Sequence, residues 1–168
     1  MASPVELFRR LTNGVYVVTA AHDDVQDGFT AAWLTQVSFE PLLVALSVNP
    51  GNATWTLIDQ SGRFAVNVLA SGQLETARHF GLQSGRERDK LAGVSTRDLT
   101  GGAVVLADGV AWLDCRVQQS VPAGDHVVVI AQVVGGDLVN PGATPLRYAE
   151  TGDMDGSAAL YPQRFADA

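Results

Sequence analysis

Short apolar runs separated by corners rich in Gly, Pro and Asn recur along the chain, and only a few stretches carry helical spacing. VYVVTAA (15–21) is rich in β-branched residues and predicts a strand. HDDVQDG (22–28) predicts a polar turn, and FTAAWLTQVSF (29–39) predicts one second extended segment, so that the two runs form a hairpin. LLVALSV (42–48), fenced by Pro41 and Pro50, predicts a buried third strand. RFAVNVL (63–69) returns as a strand, and VAWLDCRVQQSV (110–121) and HVVVIAQVVGGDLV (126–139) form two long strands joined at PAGD.

Helical spacing is confined to three places. Ser3 with Glu6 three residues on makes a capping signal for a short helix over 4–11. Leu57, Ile58 and Ser61 share a face in 53–62, which stops at Gly62, and Leu74, Ala77 and Phe80 share one in 72–81. The polar stretch 82–94 predicts a loop. Six or seven strands, mostly in meander order, with two or three short helices and no β-α-β alternation, predict a mainly β fold and a barrel over a doubly wound sheet.

Composition narrows the picture. A chain of 168 residues, 46% apolar and 17% charged, fits a single globular domain over 1–168, and so low a charged fraction suggests surface buried in an oligomer. The net charge of -7 and the lack of a basic cluster argue against nucleic acid and anionic membrane as partners. The one cysteine, Cys115, lies in an apolar-alternating run and reads as a core thiol. The first residues lack a secretory apolar region, so a cytoplasmic location is expected.

Common catalytic signatures for phosphate loops, dinucleotide loops, zinc proteases and serine hydrolases do not occur. His22, His79 and His126 show no ligand spacing, so no metal site is expected. What remains is the corner VNPGNATWTL (48–57). As structure alone, Gly51 supplies a turn and Asn52 caps the helix that follows. As a site, the amino-terminus of that helix offers N–H groups and positive partial charge to an anion, with Asn52 and the Thr54 hydroxyl as further donors. No Lys or Arg lies between Arg10 and Arg63, so a phosphate held there relies mainly on neutral donors.

Taken together, Gly28–Ser38, Pro41–Val44, Asn49–Thr54 and Ser61–Leu69, followed in order by DKLAGV (89–94), ADGVAWLDCRV (107–117) and AGDHVVVIAQV (123–133), resemble the flavin reductase-like family. The resemblance runs over about residues 5–148 and implies an FMN-binding split β-barrel of Greek-key type. It also implies an FMN, with FAD a possible substitute, held at a homodimer interface. The ring would lie along Thr30, Ala31, Ala32, Trp33, Leu34 and Thr35, where small side chains permit close approach and backbone N–H groups face the flavin edge. The phosphate would lie against Asn49, Gly51, Asn52, Ala53 and Thr54, with Ser47, Val48 and Lys90 completing the cofactor-binding set. His126 would orient a nicotinamide from NADH or NADPH, since direct hydride transfer needs no general base.

The pattern departs from many members at Ala32, Trp33, Gly51 and Asn52, and the A-x-W-x-T-Q-x-S-F variant resembles the flavin reductase-like domains fused to flavodiiron proteins. Trp33 walls the flavin, stacks where nicotinamide would dock, or fills a dimer core; the three readings stand together. The tail over 149–168 carries no assigned role, and wrapping a partner subunit is one expectation for it. The implied function is NAD(P)H-dependent flavin reduction, serving free flavin or a partner oxygenase. The alternative is a non-enzymatic FMN electron carrier reduced by a redox protein, and a store or sensor of FMN or haem is the third reading.

Overall fold

A computed structural model describes residues 2–165. Among the described residues nine strands form: β1 (Tyr16–His22), β2 (Val25–Ala31), β3 (Leu34–Ser38), β4 (Leu43–Val48), β5 (Arg63–Val68), β6 (Thr96–Asp98), β7 (Val104–Leu106), β8 (Ala111–Ala123) and β9 (His126–Leu138). Seven of them make one antiparallel sheet in the order β2-β1-β5-β8-β9-β4-β3, while β6 and β7 pair only with each other. The fold is mainly β, as expected, but the meander order is not. β1 pairs with β5 as well as with β2, and β4 pairs with β9, so two long-range pairings replace nearest-neighbour hairpins.

The expected extended segment over 29–39 is two strands. β2 and β3 follow one another in the chain yet stand at opposite ends of the strand order. Ala32 and Trp33 carry the chain between the two edges outside both ladders. The sheet thus curls until its edges meet at this kink, which is the split of the barrel. The expected turn over 22–28 shrinks to Asp23 and Asp24, with Asp23 at φ 51°, because Gln26, Asp27 and Gly28 pair with Ala21, Ala20 and Thr19. Gly28 serves close approach rather than a turn: a Cβ there would press on Thr19, the Val18 carbonyl and the Phe80 ring.

Helix α1 (Pro4–Phe8) is shorter than expected but keeps the Ser3–Glu6 capping box. Helix α2 (Ala53–Ser61) has the predicted ends, with Asn52 as N-cap and Gly62 in the left-handed region at φ 65°. Helix α3 (Leu74–Gly81) buries Ala77 and Phe80. No described helix is long and apolar enough to cross a membrane.

The barrel core gathers Val18, Ala20, Phe29, Val44, Leu46, Phe64, Val66, Cys115 and Val129, and α2 plugs it with Leu57 and Ile58. Val15, Val17, Leu69, Ala77, Phe80 and Leu106 form a second cluster on the opposite face of β1. Strand β1 is therefore buried on both sides, which is why its sequence is a continuous apolar run. Cys115 is buried in the first cluster as the expected core thiol, its pKa pushed up to about 12 by burial and by the neighbouring Asp114. The small β6–β7 ladder went unpredicted; buried Asn67 ties it down by donating to the Val17 carbonyl and accepting from the Leu106 N–H.

Candidate functional site

At the split of the barrel the kink, the end of β4, the corner before α2 and the start of β9 converge. One cavity of about 390 Å³ is lined by Thr30, Ala31, Ala32 and Trp33, by Ser47, Val48, Asn49 and Asn52, and by His126. Nine residues nominated from three separate stretches of sequence thus border a single space. A second cavity of about 330 Å³ shares Thr30 and Asn52 with it and adds Gly51, Ala53 and Lys90. Leu34 and Thr35 border a third, of about 420 Å³, beyond Trp33. These volumes are those of ordinary small-molecule sites.

The corner is ordered by its own side chains. Asn49 Oδ1 accepts from the Gly51 N–H at 2.8 Å, and Asn52 Oδ1 accepts from the Thr54 N–H at 2.9 Å. Both amide oxygens are thereby engaged, so each Asn retains its NH2 as a donor. Ala53, in the first turn of α2, contributes an N–H with no intrahelical acceptor. This donor set suits a phosphate: neutral hydrogen-bond donors at the positive end of a helix. A flavin that carries a phosphate therefore fits the donors this corner offers.

Thr54 takes a different part from the one its position suggests. It is buried, absent from both cavity walls, and its hydroxyl donates to Asp27 Oδ2 at 2.7 Å. Lys90 reaches the other oxygen of the same carboxylate at 3.2 Å. Sequence reasoning missed Asp27 because Asp-Gly reads as turn chemistry, and its neighbours in space are 27 and 63 positions away.

On the far side of the kink, the Trp33 and His126 rings lie 4.9 Å apart at 49°. Ser47 donates its N–H to the Trp33 carbonyl at 2.9 Å, which fixes the indole's backbone at the end of β4. His126 Nδ1 meets Asp125 Oδ1 at 2.7 Å, and this hydrogen bond holds the Asp125 carboxyl below its ordinary pKa. The ring is thus anchored through Nδ1, leaving Nε2 as its remaining polar atom.

The tail supplies the wall opposite. Tyr148, Asp155, Ser157 and Leu160 border the same cavity as Trp33 and His126. The Tyr148 hydroxyl donates to Asp155 at 2.8 Å and meets Ser157 Oγ at 2.9 Å, while Arg9 pairs with Asp153 at 3.0 Å and Phe8 packs on Tyr161 with ring centres 5.6 Å apart. Desolvation works to raise the Asp155 pKa, but the hydrogen bonds from Ser157 and Tyr148 outweigh it and leave the carboxyl below its ordinary value. The described tail therefore packs on its own chain; residues 166–168 of the expected arm lie outside the described residues. Nothing in the composition of 148–161 signalled this role, because the Arg9–Asp153 and Phe8–Tyr161 contacts bring in residues at the far end of the chain.

Residues 8–157 match the model of the flavin reductase like domain. A putative diflavin flavoprotein A 5 of Nostoc sp. is 34% identical over 155 residues, 90% of this chain but 27% of its own length. The flavin-dependent monooxygenase reductase subunit HsaB of Mycobacterium tuberculosis is 37% identical over 120 residues, 71% of this chain and 63% of its own. The chain thus spans about a quarter of the diflavin flavoprotein it matches. Among solved structures, the NADH:FAD oxidoreductase SgcE6 of Streptomyces globisporus superposes with a TM-score of 0.80 at 27% identity, covering 96% of this chain and 90% of that one. Nitrilotriacetate monooxygenase component B of Mycobacterium thermoresistibile gives 0.77 at 31% identity, covering 88% and 83%.

Proposed function

The chain belongs to the flavin reductase-like family, and we propose that within it this protein binds FMN at the split of its barrel and reduces it with NADH or NADPH. The observation that carries the reading is the single cavity bordered by the kink at Ala31–Trp33, the corner at Asn49 and Asn52, and His126. Asn49, Asn52 and Ala53 hold the phosphate with neutral donors. The backbone at Thr30–Thr35 takes the ring edge, since Ala32 and Trp33 lie outside both ladders and have N–H groups free of strand pairing. Bound FMN supplies a hydride acceptor. His126, anchored by Asp125, orients the nicotinamide through Nε2 and moves no proton.

Exposed Val37, Phe39, Leu42, Val134 and Leu138 support a homodimer that covers them. The free thiol of Cys115 goes with a reducing, cytoplasmic compartment. Likeness to reductase subunits and components of monooxygenases supports a partner oxygenase as the consumer of reduced flavin. The second reading, an electron carrier without nicotinamide activity, draws on Trp33, whose indole rests on His126 where nicotinamide would dock.

Anaerobic titration of the FMN-loaded protein with NADH and then NADPH separates the two. Bleaching of the flavin band within seconds supports the reductase. A flavin that stays oxidised with both donors, yet bleaches with dithionite, favours the carrier.

A further inference from the structure

Asp27 and Lys90 form an ion pair whose side chains are 7% and 2% exposed. Desolvating two charges is expensive, and a fold that merely needed to fill this volume does as well or better with apolar side chains. The pair is also built into its surroundings. One carboxylate oxygen takes the Lys90 ammonium, the other takes the Thr54 hydroxyl, and a Cβ on Gly85 would run into the carboxylate. Asp27 thereby joins β2, the first turn of α2 and the loop 82–94 in one place. Among the described residues, Lys90 is the only Lys or Arg bordering the cavity that Gly51, Asn52 and Ala53 open into.

We infer that Asp27 is the positioning residue that sets phosphate affinity at this site: it holds Thr54 and Lys90 in place and cancels the charge of the one cation within reach. The flavin phosphate is then recognised by neutral donors against a locally balanced background, and flavin stays exchangeable. The inference rests on the proposed placement of the phosphate at residues 49–54. Its consequence runs against the usual effect of removing a buried charge partner. Removing the carboxylate leaves the Lys90 ammonium, which borders the same cavity as Gly51, Asn52 and Ala53, without its counter-charge, and its attraction for a phosphate in that cavity strengthens.

The test is the ratio of FMN to riboflavin affinity, measured by fluorescence quenching on the full-length protein. Riboflavin lacks the phosphate, so losses from distorted folding affect both ligands. Asp27→Asn keeps an acceptor for Thr54 and is expected to raise the ratio about ten-fold. Lys90→Gln leaves the carboxylate unopposed and lowers the ratio about ten-fold. The double variant Asp27→Asn/Lys90→Gln removes both charges and returns the ratio to within about three-fold of the parent; with Lys90→Gln it decides the matter should Asp27→Asn fail to fold. Ratios unchanged in all variants, with both affinities falling together, overturn the inference and leave Asp27 a structural tie. A parent protein that binds FMN and riboflavin equally overturns the phosphate placement itself, and the inference with it.

Discussion

The indole of Trp33 and the imidazole of His126 lie 4.9 Å apart, tilted at 49°, across the split of the barrel, a kink residue meeting the first residue of a strand that begins 93 positions later. Trp33 remains 47% exposed, so the contact guides a surface imidazole rather than filling a core. With Asp125 on Nδ1 and Trp33 beside the ring, His126 leaves Nε2 to a ligand.

His126→Ala should therefore act on binding more than on chemistry. Loss of one hydrogen bond to the nicotinamide is expected to raise KM for the reduced nicotinamide about five-fold, with kcat changed less than two-fold. Steady-state kinetics read both. A kcat that collapses at unchanged KM would make His126 part of the chemical step.

Asn52→Ala removes the cap of α2 and one amide donor from the corner. A lost cap costs about 1 kcal/mol, or a few degrees in Tm. FMN affinity should fall several-fold more than riboflavin affinity, which equilibrium titration with each ligand resolves. Equal losses would leave Asn52 a helix cap alone.

Tyr148→Phe deletes the hydroxyl that meets both Asp155 and Ser157. The expected outcome is faster limited proteolysis within 149–165, with Tm shifted by only a few degrees because the barrel core does not take part. The Asp155 carboxyl is held below the ordinary pKa of an aspartate, so the contribution of its contacts is present above that ordinary pKa. It is lost as pH falls through the lower folded pKa. Tail protection measured by hydrogen exchange should hold at neutral pH and weaken only in acid.

Cys115 should be inert in the folded protein. Its thiol is buried, and burial pushes its pKa from an ordinary 9.0 up to about 12. A disulfide reagent at pH 8 should react only once denaturant is added, releasing one thiol per chain. The raised pKa also fixes a sign: its stability contribution is full below pH 9. Between about pH 9 and 12 the unfolded chain gives up a proton that the folded chain keeps, so stability declines by up to about 1.4 kcal/mol per pH unit.

Local chemistry alone specified a good deal of this protein. The β-branched run at 15–21 became β1, the apolar run at 42–48 fenced by Pro41 and Pro50 became β4, and Asn52 and Gly62 bounded α2, because capping and strand propensity act within a few residues. The family-like spacing of Gly28–Ser38 and Asn49–Thr54 pointed to residues that share a cavity wall with His126. What sequence could not show was that FTAAWLTQVSF breaks at Ala32–Trp33 to serve both edges of one sheet, since an edge exists only once β1 has paired with β5 and β4 with β9. Nor could it reveal Asp27 as the meeting point of Thr54 and Lys90, or the tail as a wall of the site. Those relationships join segments tens of residues apart, and the closure of the barrel, a long-range burial of apolar surface, decides which of them come together.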